Sequence, residues 1–120
     1  MNMAANAYAK TSQITPLSAR ALESTLLMKA AAQMQAVRND WEGRQAELPA
    51  ALDYNNKLWT ILVTSATSPD NPLPLEVKQN VGNIGIFVLA QTMAMGANPV
   101  AEKLDSLIRI NRELAAGLRA

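Results

Sequence analysis

Apolar residues recur along most of the chain at spacings of three and four, which is the period of an amphipathic helix. The first such stretch runs from about residue 15 to 37. Thr15 followed by Pro16 is typical of a helix cap and a first helical turn. The side chains predicted to face the core are Leu22, Leu26, Ala30, Met34 and Val37. Residues 1–14 are rich in small and polar side chains without a sustained period, so we expect a loose N-terminal arm there.

The second helix is predicted to open at Pro49, with the alternative that residues 46–48 also belong to it if the chain bends there. Residues 60–64 read TILVT, and by propensity alone this run suits a β-strand. A stripe with helical spacing continues on both sides of the run, and this favours a helix. The predicted stripe consists of Leu52, Asn55, Trp59, Leu62 and Ala66.

The third helix is predicted to begin at Pro74 and to carry Val77, Val81, Ile84, Val88 and Met95 on one face. Its second half, IGIFVLAQTMAM, is apolar nearly all round, which predicts the most buried element of the fold. Gly82 and Gly85 lie three residues apart inside this helix, and we expect them to let a neighbouring helix approach closely. Gly96 suits a left-handed cap at its end.

The fourth helix is predicted to begin at Asn98 and Pro99, which repeat the pattern of a cap and a first turn. Polar residues at four-residue spacing form its outer face, and its inward residues are Leu104, Leu107, Ile108, Leu114 and Leu118. No linker or internal repeat divides the sequence. The pattern therefore predicts a single small all-α domain of about four helices, a helical bundle over residues 15–120 that follows the flexible arm 1–14.

The amino-acid composition excludes several kinds of functional site. The 120 residues include no cysteine and no histidine, which excludes disulfides, Cys/His zinc sites, thiol nucleophiles and imidazole acid–base catalysis. The formal net charge of +1 creates no long-range attraction to nucleic acid or to an anionic membrane. The N-terminus lacks the apolar core of a signal peptide, and no run approaches about 20 apolar residues. We expect a cytoplasmic protein without membrane insertion.

Candidate catalytic groups are few. Glu102 and Asp105 share one helical face, but Lys103 and Arg109 lie close, as on an ordinary solvated surface. Without histidine, only a Ser–Lys arrangement remains for nucleophilic catalysis, and no spacing indicates one. We therefore expect no enzymatic activity, no metal site and no cofactor.

The sharpest break in the pattern lies between the second and third helices, where LWTILVTSATSPDNPLP passes from an apolar turn to a proline-rich segment. Three short motifs occur in order in this part of the chain. They are a Leu-Trp pair, a Pro-x-Asn-x-Leu-Pro segment, and an Asn-Ile-Gly turn that leads to an aromatic residue and a valine. These residues are Leu58, Trp59, Pro69, Asn71, Leu73, Pro74, Asn83, Ile84, Gly85, Phe87 and Val88. In this order and spacing they resemble the FlaF family of flagellar biosynthesis regulators, and the likeness covers roughly residues 52–118.

The resemblance implies a cytoplasmic role in flagellum assembly. The chain would bind flagellin and regulate its synthesis and export as a chaperone or adaptor, working with or against a companion translation regulator. The alternative is a post-transcriptional regulator that acts on flagellin mRNA directly or through that companion. A helical domain that merely dimerises is what remains without the resemblance.

Direct RNA contact would need a basic surface. Arg109, Arg112 and Arg119 fall on one side of the last helix, but three arginines neutralise few phosphates and no aromatic residue is interleaved to stack bases. We therefore expect no direct nucleic-acid binding.

The motif residues have two interpretations each. Trp59 suits a partner-binding anchor, yet its place in the predicted stripe favours the core. The SPDNPLP turn is a candidate docking loop. We favour a structural role, because each of its residues suits the formation of the turn itself. We regard as mainly structural Trp59, Pro69, Asn71, Leu73, Pro74, Ile84 and Gly85.

Apolar side chains beyond these stripes form the candidate partner-binding set: Tyr54, Leu58, Ile61, Phe87, Met93 and Met95. Methionines suit surfaces that accept a helix, and exposed apolar patches mark interaction sites. The alternative is that the first and fourth helices cover these residues. We predict that Tyr54, Ile61 and Met93 line a groove for a terminal helix of flagellin.

Overall fold

The computed structural model describes residues 16–119. In chain order its elements are α1 (Pro16–Asn39), the short α2 (Trp41–Arg44), a 3-10 turn (Gln45–Glu47), α3 (Leu48–Thr67), α4 (Leu75–Ala97) and α5 (Lys103–Arg119). Over this range the fold is all-α with four long helices and no strand, which confirms the predicted class. The predicted arm and the Thr15 cap lie outside the described residues.

Helices α1 and α5 form the most extensive contact of the bundle. They run antiparallel, as two contacts show. Ser24 near the start of α1 donates a hydrogen bond to the Ala115 carbonyl oxygen (2.8 Å) near the end of α5. Towards the other end, Arg38 pairs with Asp105 at 3.0 Å. Helix α3 packs on α1 and forms a hairpin with α4, whereas α4 meets α5 only sparsely. Helix α4 therefore lies at the edge of the bundle.

The core-facing stripe of α3 is confirmed. All five predicted residues, including Asn55 and Trp59, are buried. The TILVT run is helical, since the stripe on both sides outweighs its strand propensity. The helix begins at Leu48, one residue before Pro49.

The inward face of α1 differs from the prediction at its first turns. Leu22 is 43% exposed and Leu26 is only partly buried, whereas Ser24 and Leu27 are fully buried. The hydroxyl of Ser24 bonds the backbone of α5, so a small polar residue occupies the inward position there. The prediction for Leu22 was wrong because the apolar pattern does not reveal this close helix–helix approach. Further along, the buried residues include Ala30, Met34 and Val37, as predicted.

The prediction that α4 is the most buried element was wrong. Its buried residues are Gly85, Val88 and Met95, whereas Val77 and Ile84 are 38% and 39% exposed. The reason is position. Within the described chain, α4 packs mainly against α3 on one side, so an all-round apolar sequence leaves most of its circumference uncovered.

The predicted close approach at the α4 glycines is confirmed for Gly85. A Cβ atom there would overlap Cγ2 of Val63 and would lie 3.9 Å from Cε3 of Trp59. A Cβ atom at Gly82 would meet only Cγ2 of Thr67, at an ordinary 4.0 Å. Gly85 is thus the residue that lets α3 and α4 come together.

Three predicted helix boundaries are corrected. Gly96 stays helical, and no residue of the described range has a positive φ, so the predicted left-handed cap is absent. Asn98 ends α4 by donating its backbone N–H to the Ala94 carbonyl oxygen at 2.9 Å. Since Asn98 is bonded to α4, it does not cap the next helix, and α5 begins at Lys103 instead of at the predicted Asn98 and Pro99. Pro74 is the cap residue of α4 and not its first helical residue.

Candidate partner-binding site

The turn between α3 and α4 is held by the side chain of Asn71. Its Nδ2 donates to the Ser65 carbonyl oxygen (3.0 Å), and its Oδ1 accepts from the Leu73 backbone N–H (2.9 Å). Lys78 Nζ donates to the Ser68 carbonyl oxygen at 2.9 Å, which ties the first turn of α4 to the same segment. These contacts give Asn71 the turn-forming role that the motif predicted, while Pro69 and Pro74 are exposed on its surface.

Trp59 is fully buried and belongs to a polar network inside the core. Its indole Nε1–H donates to Oδ1 of Asn111 (2.9 Å), and Nδ2 of Asn111 donates to Oδ1 of Asn55 (2.7 Å). The network joins α3 to α5. Sequence reasoning missed Asn111, although a polar residue at an inward position between Leu107 and Leu114 was a usable signal.

Ile61 is the exposed apolar residue at the middle of α3, with 48% of its surface accessible. It lines a shallow hollow with Thr60, Thr64, Ser65, Ser68, Asp70 and Asn71. The hydroxyls of Thr60 and Thr64 donate to carbonyl oxygens of their own helix, at 2.9 and 2.7 Å. Because those donors are satisfied internally, an apolar side chain of a partner can rest on the hollow without stranding them.

Tyr54 lies in a different hollow, between α1 and the start of α3, with Val37, Arg44, Ala50 and other residues. The Lys29 ammonium lies 5.4 Å from its ring centroid, within range of a cation–π contact. Leu58, between Tyr54 and Ile61 on α3, is buried. The predicted groove is therefore not one cavity, because Tyr54 and Ile61 line separate hollows.

The α4 members of the predicted set also separate. Phe87 and Met93 are exposed, at 46% and 76%, whereas Met95 is fully buried and faces the core. Ile84 is 39% exposed, and Gly85 is buried against α3. Exposed Phe87 and Met93 thus lie on α4, and neither lines the hollow that Ile61 shares with Asn71.

Electrostatic features are modest. Glu23 lies in a cavity where the ends of all four long helices meet, and burial raises the pKa of its carboxyl despite the opposing effect of Arg20. Arg109 and Arg112 share a surface hollow with Asp105 and Glu113, so positive and negative charges alternate there.

Among residues 16–119 no group of His, Cys, Asp or Glu side chains is placed to hold a metal ion. No helix in that range has the length and hydropathy for a membrane crossing.

The three motif segments form one packed unit: Trp59 on α3, the turn locked by Asn71, and Gly85 where α4 meets α3. This hairpin brings together the residues on which the resemblance to flagellar proteins rests. A family model described as flagellar protein FlaF matches residues 4–118. The chain belongs to the FlaF family. No curated protein and no solved structure matches the chain.

Proposed function

We propose that this FlaF protein binds flagellin in the cytoplasm and regulates its synthesis and export, without catalysing a reaction. Membership of a family of flagellar proteins over residues 4–118 is the observation that carries the proposal. A subunit that polymerises through apolar terminal helices needs those helices covered before assembly, and a small helical protein supplies a surface for them.

The surface of α3 around Ile61 suits such a helix. Tyr54 and Ile61 lie seven residues apart, two helical turns, so both fall on one face about 10 Å apart. A partner helix that lies along α3 can reach both hollows, although they are separate. The adjoining turn is already ordered by Asn71, so binding incurs little cost from ordering it.

The variant Ile61→Asp tests this surface. We expect flagellin binding to weaken at least tenfold, about 1.4 kcal/mol, since a carboxylate would be buried against an apolar helix. The side chain is 48% exposed, so the helical spectrum and the melting temperature should stay near those of the wild type. Calorimetric titration of purified flagellin into each variant measures the affinity. Ala32→Asp, at an exposed position in the middle of α1, introduces the same charge elsewhere and should bind normally.

Two results would contradict the assignment. An Ile61→Asp protein that folds and binds flagellin normally removes Ile61 from the site, and one that unfolds places it in the core. Co-purification from flagellated cells with and without nuclease tests the function itself. Flagellin retained after nuclease supports the proposal, whereas RNA retained without flagellin supports regulation at the mRNA.

A further inference from the structure

Beyond its first turn, which contains Glu76 and Lys78, helix α4 carries no charged side chain. From Gln79 to Ala101 the sequence contains no Asp, Glu, Lys or Arg. Within this stretch Ile86 is 67% exposed and Met93 is 76% exposed. Lys78 shares a surface hollow with Gln79, Asn83 and Ile86, but its ammonium is bonded to the Ser68 carbonyl oxygen at 2.9 Å. Large exposed apolar side chains on a surface with so little charge are unusual in a monomer and mark an interaction surface.

One set of exposed residues lies on a single face of α4 with heptad spacing. Positions spaced by four, three, four, three and four residues are all exposed, and we call them the α4 stripe: Gln79, Asn83, Ile86, Ala90, Met93 and Ala97. They lie on the side of α4 away from buried Gly85 and Val88. A 3–4 spacing on one exposed face is the pattern of a helix that pairs with another helix through knobs-into-holes packing.

The shape of the surface favours a helix of the same kind. Helix α4 lies at the edge of the bundle, so the α4 stripe is a ridge and not the floor of a groove. Two such ridges pack when bulky and small residues alternate, as Ile86 and Met93 alternate with Ala90 and Ala97. A twofold interface brings the same patch of both subunits together, and an uncharged patch meets its own copy without repulsion.

The area is sufficient for a dimer. Five large apolar residues on or beside the α4 stripe are exposed by 37–76%: Leu75, Ile86, Phe87, Leu89 and Met93. At about 200 Å² for a fully exposed large side chain, they offer roughly 600 Å² on each copy. Two copies then bury up to about 1,200 Å² in total, at the lower end of the range of specific interfaces.

We propose that this protein forms a homodimer in which the α4 stripes of two copies pack against each other. No residue of the α4 stripe lines the hollow at Ile61, so that surface stays accessible on each subunit. The dimer thus presents two copies of that surface.

Sedimentation equilibrium of the purified full-length protein, produced without flagellin, tests the proposal. We expect a dimer with a Kd in the micromolar range or tighter. Ile86→Glu and Met93→Glu each place two like charges at the interface and should raise that Kd at least tenfold, with an unchanged helical spectrum. The matched control is Leu22→Glu, which changes the charge equally at an exposed leucine on α1 and should leave the Kd unchanged.

Three outcomes overturn the proposal. The first is a wild-type monomer at about 100 µM, ten or more times above a micromolar Kd. The second is a dimer that both Ile86→Glu and Met93→Glu leave intact. The third is a monomeric wild type whose flagellin binding is abolished by Ile86→Glu, which would assign the α4 stripe to flagellin.

Discussion

The buried amide of Asn111 makes a strong prediction about stability. In Asn111→Ala, the indole N–H of Trp59 loses its acceptor and Oδ1 of Asn55 loses its donor, both inside the core. Nδ2 of Asn55 has no partner within the described residues even in the wild type, so the variant leaves that amide entirely unsatisfied. The change therefore removes one side chain but leaves two buried polar groups without their partners.

The magnitude follows from the cost of unsatisfied buried groups. Each newly orphaned group costs about 1–3 kcal/mol, which gives roughly 2–6 kcal/mol for two. We expect about 3 kcal/mol, because a water molecule in the vacated space restores part of the bonding. Against a typical total of about 5–15 kcal/mol, this is a large fraction of the stability of a small domain.

Urea unfolding followed by tryptophan fluorescence and by far-ultraviolet circular dichroism measures the effect. With an m-value of about 2 kcal/mol/M, the midpoint should fall by about 1.5 M. Asn80→Ala removes the same amide from an exposed position of α4 and should change stability by less than about 0.5 kcal/mol. All variants are compared at one protein concentration, since association contributes to apparent stability.

A double-mutant cycle tests the reasoning separately from the magnitude. Asn55 and Asn111 bond each other, so the two alanine changes should be non-additive by at least about 1 kcal/mol. A cost of Asn111→Ala below 1 kcal/mol, or strict additivity of the two changes, would show that the three side chains do not act as one network.

Two further variants probe the α3–α4 hairpin. Gly85→Ala should lower the free energy of unfolding by about 1–3 kcal/mol, because its Cβ would overlap the stiff Val63 side chain. Gly96→Ala on the same helix meets no atom within 4 Å and should raise it by up to about 1 kcal/mol in the same denaturation assay. Asn71→Ala combined with Leu73→Ala should lower the melting temperature by roughly 10 °C, since the turn loses two hydrogen bonds and a packed leucine. Intact stability with lost flagellin binding would instead make this turn a docking site.

Local interactions explain what the sequence alone determined. The helical class, the α3 stripe and the turn residue Asn71 depend on contacts within a few positions along the chain, such as the bonds from Asn71 to Ser65 and Leu73. Spacing and turn chemistry record such contacts directly. The close approach at Gly85 is a tertiary contact, with Val63 and Trp59, yet the sequence indicated it, because a glycine inside a helix is costly unless a neighbour needs the space.

Tertiary packing decided the rest. The partners of Asn111 are 52 and 56 positions away, so no local pattern identifies them. An apolar residue looks the same in sequence whether or not another helix covers it. Met95 is therefore buried while Met93, two positions earlier, is 76% exposed. The burial of α4 depends on how many helices surround it. Because α3 is its main neighbour, this highly apolar helix carries most of the large exposed apolar side chains of the described residues.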